Sequence, residues 1–313
     1  MKKDNYYKKY KNKLILKQAL IFFCSTIGFL LIVLGISYSF FMLEKQDTPE
    51  EVAGEASGVP ILNEDNILLI QKNSVNILAM LGDEDDFDFA CLISIQPDMD
   101  RIVSMPIPAY IKSSIDSQYS LNKQYEMGGA IKAAEFLRDE FNLKIDKWIY
   151  TTSEQAANVI KLLGSIELEI PESVNYSYQD TPFIISKGNH ILDGDTIIKL
   201  IYNTNWSQGV KQSSEFLGYT VCEIINQCFN TVHLELGEEL FAKIINNMNT
   251  NISMYNFINE YNSLKSLADI NNGDICININ IEGEFTDQNS TFIPNYNINS
   301  ILEEYLLLNV LND

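Results

Sequence analysis

Ala90-Cys91-Leu92-Ile93-Ser94-Ile95 decides the fold, because it is apolar on both faces. Such a strand belongs inside a sheet covered on both sides, whereas a strand with one wet face alternates polar and apolar residues. Arg101-Ile102-Val103-Ser104-Met105 follows after a Pro97-Asp98 turn and reads as its neighbour. Upstream lie two more short apolar runs, Asn66–Ile70 and Val75–Leu81. Downstream, Gly128-Gly129 opens a helix with Ala130, Ala134, Leu137 and Phe141 on one face. Trp148-Ile149-Tyr150 reads as a strand. Ser153 reads as the cap of a helix that turns Ala156, Ile160 and Leu163 inward and ends at Gly164. Ile166–Ile170 is a strand stopped by Pro171.

Further out, Asp193–Tyr202, Ser207–Phe229, Leu236–Met248 and Met254–Leu267 read as helices, the second being the longest. Ile275, Ile277, Ile279 and Ile281 alternate with polar or small residues, which predicts a half-buried strand paired with Thr291-Phe292-Ile293. A last helix covers Ile298–Leu308. Strands alternating with helices predict an α/β domain with a mixed central sheet flanked by helices.

The N-terminus sets the expected address. Gln18–Leu43 carries no formal charge, and Lys2, Lys3, Lys8, Lys9, Lys11, Lys13 and Lys17 precede it. As a helix the run spans roughly 39 Å, more than a hydrocarbon core of about 30 Å. It exceeds the apolar region of a cleaved signal peptide, and bulky Tyr38, Phe40 and Phe41 stand where a cleavage box would lie. Lysines on one flank point to a cytoplasmic N-terminus. The expected organisation is a cytoplasmic basic tail (1–17), a transmembrane signal anchor (18–43), a flexible tether rich in Glu, Gly and Ser (44–60), and one extracytoplasmic α/β domain (61–313). That makes a single-pass plasma-membrane protein.

Charge divides at the anchor. Residues 1–17 carry +6, which leaves −26 for the remainder of a chain totalling −20. So acidic a domain will not bind nucleic acid non-specifically, and it repels anionic lipid or polymer unless metal ions intervene. The five cysteines are scattered among apolar residues and read as small buried hydrophobes rather than a disulfide framework. A Cys222–Cys228 bridge is excluded if both lie on one helix, since six residues put them on different faces.

Several chemistries drop out. The chain has only His190 and His233, no Cys/His cluster of zinc spacing, no Gly-rich phosphate loop and no Gly-x-Ser-x-Gly elbow. His190 reads as a loop residue beside a turn at Gly188. Asp83, Glu84, Asp85, Asp86 and Asp88 crowd one loop, which either stays solvated or holds a hard cation such as Mg²⁺ or Ca²⁺.

An ordered set of segments resembles the LytR-CpsA-Psr family of bacterial cell-wall proteins. Asn76–Gly82 looks like the family's opening strand, and Asp88 followed by Ser94-Ile95-Gln96-Pro97 is similar to its Arg-x-Asp motif and Asn-Pro-ended strand. Met105-Pro106-Ile107-Pro108 is similar to its Ser-Ile-Pro-Arg-Asp segment, and Leu121-Asn122 through Gly128-Gly129 to its Ile-Asn-to-Gly-Gly segment. Leu163–Pro171 resembles its Leu-Gly-Gly-Val-Asp-Val-x-Val-Pro, and Gly188 with Leu192-Asp193-Gly194 its Gly-x-x-x-Leu-Asp-Gly. The resemblance implies a domain that binds a polyprenyl-pyrophosphate-linked glycopolymer and transfers it to peptidoglycan with Mg²⁺. It also implies arginines that grip the phosphates and aspartates that hold the metal.

The arginines are missing. Their positions fall at Asp86, Ala109, Tyr202, Thr204, Gly209 and Gln212, and the aspartate after Ile-Pro falls at Tyr110. The whole chain has Arg101 and Arg138 only, neither in a matching motif. Asp88, with Asp86, is the candidate metal ligand, and Lys199 and Lys211 are the nearest candidate phosphate-binding or catalytic cations. A lysine cannot reproduce the guanidinium fork. The leading reading is therefore a degenerate, non-catalytic relative that binds a polyprenyl phosphate lipid or a cell-wall partner, since a lipid tail needs only apolar lining. The alternative is an active Mg²⁺-dependent transferase with a rebuilt site. A third is an unrelated anchored α/β domain with a chance likeness.

Overall fold

The computed structural model describes residues 74–83, 87–203, 205–286 and 291–295. The expectations for the basic tail, anchor, tether and Asn66–Ile70 strand, for Asp86 and Thr204, and for the helix at Ile298–Leu308 lie outside the described residues. Among the described residues no helix is long and apolar enough to cross a membrane.

The two-faced apolar stretch is the second of three consecutive strands, β1 (Val75–Leu81), β2 (Phe89–Gln96) and β3 (Arg101–Pro108). β2 runs antiparallel to both β1 and β3, with Leu81 opposite Phe89 and Phe89 opposite Pro108. The β2–β3 link is a short 3₁₀ turn, Pro97–Met99, closed by Asp100 in the left-handed region (φ 51). That conformation suits an aspartate better than a branched residue.

Next comes α1 (Leu121–Phe141). It begins earlier than Gly128-Gly129, because Ser120 caps it by accepting from the Lys123 N–H. The glycines interrupt it instead, with Gly129 at φ 67, and the chain re-enters the helix with Ala130, Ala133, Phe136, Leu137 and Phe141 buried. Then follow β4 (Lys147–Thr151) and α2 (Ser153–Leu163). The α2 cap is Thr152 rather than Ser153: its hydroxyl accepts from the Gln155 N–H, while the Gln155 side chain accepts from the Thr152 N–H. β5 (Ile166–Ile170), β6 (Val174–Tyr178), β7 (Thr181–Ile185) and β8 (Gly188–Leu192) form two antiparallel pairs, β5 with β8 and β6 with β7. His190 thus lies on a strand, not in a loop.

Asp193 caps α3 (Gly194–Ile201), and after a turn at Ser207–Gly209 the chain enters α4 (Val210–Cys228). Beyond lie α5 (Thr231–Glu235), α6 (Gly237–Ile245), β9 (Asn249–Thr250) and α7 (Met254–Ile270). The alternating stretch at 275–281 does not make one strand. Its first part is β10 (Cys276–Asn278), parallel to β3 at the edge of the main sheet. The partner of β12 (Thr291–Pro294) is instead β11 (Gly283–Thr286). β3 offers an open edge, so the first half of the alternating stretch pairs there, residues 279–282 join no strand, and the hairpin starts only at Gly283.

The main sheet has strand order β10-β3-β2-β1-β4-β9 and is mixed: β1 is parallel to β4 and β10 to β3, while the other neighbours are antiparallel. Helices cover both faces. Leu78, Met80, Ala90, Leu92, Val103 and Met105 pack with Leu137 and Phe136 of α1. On the opposite face, Leu81 and Cys91 join Ile160, Ile197, Phe216 and Leu217 of α2, α3 and α4. The parity of β2 therefore puts Ala90 and Leu92 on one core and Cys91 on the other, which explains why both parities are apolar. Gly218 lets α4 touch the sheet: a Cβ there would meet Pro106 Cδ and Asn278 Oδ1 at 2.5 Å.

Candidate functional site

The parallel strands β1 and β4 end side by side, where the Gly82 N–H donates to the Thr151 carbonyl (3.1 Å). Carboxyl ends of parallel strands are where open α/β sheets bind ligands. Here they meet the start of β2, the end of β3 and the N-terminus of α2. The Asp88 N–H donates to the Leu81 carbonyl (3.0 Å), which fixes that loop against β1. Buried Asn122 donates through Nδ2 to the Phe87 carbonyl (2.7 Å) and through its N–H to the Ala109 carbonyl (2.8 Å). Asn122 thereby ties the segment before Asp88 to the turn after β3.

A cleft of about 600 Å³ opens here. Asp83, Thr152, Ser153, Glu154, Tyr178, Asp195 and Lys199 are among the residues that line it. Tyr202 packs behind one of the lining residues, Tyr178. Its ring meets Phe89 edge-on (5.1 Å between centroids) and leans on Tyr178 (6.2 Å). Burial raises the Tyr202 phenol well above its ordinary range; contact with Ser153 opposes the shift, and the Asp88 and Asp83 carboxylates reinforce it. Burial raises Tyr178 too, with Asp83 adding to the effect. Both tyrosines stay neutral, so the position of the first arginine after Leu-Asp-Gly carries no charge.

Among the predicted site residues, Asp88 and Lys199 come to this region and Lys211 does not. Lys199 lies near the end of α3, with Nζ 5.9 Å from the Phe183 ring centroid. Lys211 lies on the exposed start of α4, 3.8 Å from Glu215, and lines a separate cleft with Pro106 and Pro108. Asp86 lies outside the described residues. At the remaining arginine positions, Ala109 is buried at the end of β3, Gly209 turns into α4, and buried Gln212 accepts from the Gln208 N–H (3.0 Å). Tyr110, in the place of an aspartate, is exposed.

Sequence reasoning offered Asp83 only as part of the Asp83–Asp86 cluster that could hold a metal with Asp88, and did not single out Ser153, Glu154, Tyr178 or Asp195 as lining residues. These four arrive from elements far apart in sequence. The charges form a clear pattern: Asp83, Glu154 and Asp195 line the cleft with Lys199 as the cation, and Asp88 acts on the neighbouring Tyr202. Lys161 lies 2.7 Å from Asp195 and offsets that carboxylate.

Among the described residues, no three His, Cys, Asp or Glu side chains group as a metal site. Mg²⁺, however, commonly takes only one or two carboxylates and completes its shell with water and substrate phosphates. Asp83 and Asp88 both act electrostatically on the Tyr202 hydroxyl.

The lipid reading calls for an apolar tunnel beside Asp88 and Ala109, and the apolar cavity found here includes neither residue in its lining. It measures about 280 Å³ and is lined by Leu163, Ile224, Phe229, Leu240, Phe241 and Phe257, among others. Leu163 ends the helix that Ser153 begins, about 15 Å away along the axis.

No curated protein sequence matches the chain. Solved structures resemble its fold at low identity. A putative transcription regulator from Eubacterium siraeum superposes with a TM-score of 0.67 at 18% identity, covering 85% of this chain and all of that one. TagV of Bacillus subtilis gives 0.60 at 16%, covering 77% and 98%. A LytR-Csp2A-Psr enzyme from Actinomyces oris gives 0.56 at 16%, covering 74% and 89%. The family model described as LytR_cpsA_psr matches residues 88–303, more than half of the sequence, and the chain therefore belongs to the LytR-CpsA-Psr family.

Proposed function

We propose that this chain is a non-catalytic member of its family, a binding module held at the outer face of the plasma membrane by residues 18–43. Its ligand would be a polyprenyl phosphate lipid or a cell-wall partner. Members of the family are typically cell-wall glycopolymer transferases. The observation that carries the proposal is the charge of the cleft. Tyr202, Ala109, Gly209 and Gln212 stand where arginines are expected, and Asp83, Glu154 and Asp195 line the space with Lys199 as the lining cation.

A transferase must stabilise charge that develops as the phosphoryl group moves. Losing one preorganised donor typically costs about 2.7–4 kcal/mol, or 10²–10³ in rate. The loss of several arginines leaves transfer by that mechanism without its principal support. Binding survives more readily. The N-terminus of α2 presents Ser153 and Glu154 N–H groups at the cleft, Lys199 supplies one charge, and Asp83 with Asp88 would hold a Mg²⁺ that neutralises a phosphate. Tyr178 lines the wall and Tyr202 packs behind it.

The test uses the full chain in lipid nanodiscs with Mg²⁺ and a polyprenyl pyrophosphate-linked saccharide. Saturable Mg²⁺-dependent binding without release of a phosphorylated lipid product is expected. Turnover that disappears in Asp88→Ala would show that the active site has been rebuilt and refute the proposal. Residues 18–43 are tested separately: deleting 1–60 should release the protein from membranes, and retention would refute the anchor.

A further inference from the structure

The four described cysteines are free thiols, and all are buried. Two of them meet across the junction of α4 and β10. Cys222 Sγ lies 3.0 Å from the Cys276 carbonyl oxygen, although the residues are 54 apart in sequence. Asn226 fastens the same spot, donating to the Cys276 carbonyl (3.2 Å) and accepting from the Cys276 N–H (2.7 Å). Cys222, Ile275 and Cys276 share one apolar cluster with Ile102 and Leu267.

We infer that Cys222 and Cys276 form a dithiol pair that closes to a disulfide and staples the edge strand β10 to α4. This inference is independent of the ligand reading. The chemistry of the pair is asymmetric. Cys222 Sγ receives the Asn226 amide at 3.6 Å beside the Cys276 backbone, and the proximity of the two side chains lowers the Cys222 thiol and raises that of Cys276. Cys222 is therefore the attacking sulfur and Cys276 the resolving one. With a low-molecular-weight disulfide as oxidant, the Cys222 thiolate attacks one of its sulfurs and expels a thiolate, leaving a mixed disulfide. Cys276 then gives up its proton, attacks the Cys222 sulfur and expels the second thiolate. The net change is two protein thiols and one external disulfide converted to one protein disulfide and two small thiols.

The other two thiols are poor competitors. Cys91 bonds the Ser104 hydroxyl (3.3 Å), and burial pushes its thiol up to about 12. Cys228 sits at the far end of α4 against the Leu163 carbonyl, and burial raises it as well. Access requires β10 to lift. It is a three-residue strand at the edge of the sheet, so local opening exposes the pair without unfolding the sheet centre.

The test equilibrates the full chain in detergent with excess oxidised glutathione, then maps cross-linked peptides by mass spectrometry and records thermal unfolding. The expected product is a Cys222–Cys276 disulfide. Closing a loop of this length should raise the unfolding midpoint by about 10 °C. Cys276→Ser should remove both effects, whereas Cys91→Ser and Cys228→Ser should keep the cross-link. If Cys276→Ser fails to fold, those two variants still decide the question. Persistence of both thiols in the folded oxidised protein would overturn the inference. So would a cross-link through Cys91 or Cys228.

Discussion

Replacing Asn226 with alanine tests how β10 is held. The Ile102 N–H donates to the Ile275 carbonyl, and the Ile279 N–H to the Ser104 carbonyl. The odd-numbered residues of the segment therefore face β3, and the Cys276 amide faces away from it. Asn226, itself buried, supplies the missing strand: its amide bonds both the N–H and the carbonyl of Cys276. Alanine leaves a buried N–H without its 2.7 Å acceptor, which costs about 1–3 kcal/mol. The carbonyl keeps Cys222 Sγ at 3.0 Å, so its loss is smaller. With a modest cavity added, the total is about 2–3 kcal/mol, and for a domain of this size the unfolding midpoint should fall by about 5–10 °C. Circular dichroism gives the midpoint, and hydrogen exchange read by mass spectrometry should show faster exchange confined to Cys276–Asn278. Asn226→Asp is the informative companion. It keeps an acceptor for the Cys276 N–H but loses the donor to the carbonyl, one turn from Glu223. Burial should raise the new carboxyl above its unfolded pKa of about 3.9, so its contribution is full below that pH and is lost as pH rises. A shift under about 2 °C for Asn226→Ala, with unchanged exchange in β10, would refute the reasoning.

Asp193 caps α3 by accepting from the Thr196 N–H (2.9 Å), and Asp193→Ala should cost about 1 kcal/mol at neutral pH. The Thr196 hydrogen bonds hold its carboxyl below the usual range, so the cap contributes above the ordinary carboxylate pKa and is lost as pH falls through the lowered one. The gap between wild type and variant, read by thermal unfolding against pH, should therefore close in acid. Gly218→Ala drives a methyl to 2.5 Å from Pro106 Cδ and Asn278 Oδ1, and should destabilise by about 1–3 kcal/mol in urea unfolding. Tyr202→Arg places a guanidinium in the cleft and should raise pyrophosphate affinity roughly tenfold to a hundredfold by calorimetry. Unchanged affinity would remove Tyr202 from the ligand site.

The sheet was legible because its signals are local. Parity on β2 announced two cores, and the strand–helix alternation announced helices on both faces. The missed hairpin of β6 and β7 left a signal too. Val174 and Tyr176 are buried while Asn175 and Ser177 are exposed, and the turn residues Gln179 (φ 48) and Asp180 (φ 61) adopt the two positive angles a tight hairpin requires. Without a Gly at either turn position, the run did not read as a hairpin. The 275–281 stretch failed differently: its alternation was real, but alternation does not say which strand edge is open.

By itself the sequence determined a two-cored α/β domain, its acidity, the absence of arginines from the family's motifs, and the lack of any histidine or zinc constellation. Each is a matter of residue identity or of short-range period, which the chain carries at every point. Only the tertiary structure decided that Lys199 and not Lys211 reaches the cleft, that Tyr202 packs on Phe89 and Tyr178 behind it, and that Cys222 meets Cys276. Those outcomes depend on how α3, α4 and β10 seat against the sheet, and packing angles and register are properties of surfaces meeting, not of any one segment.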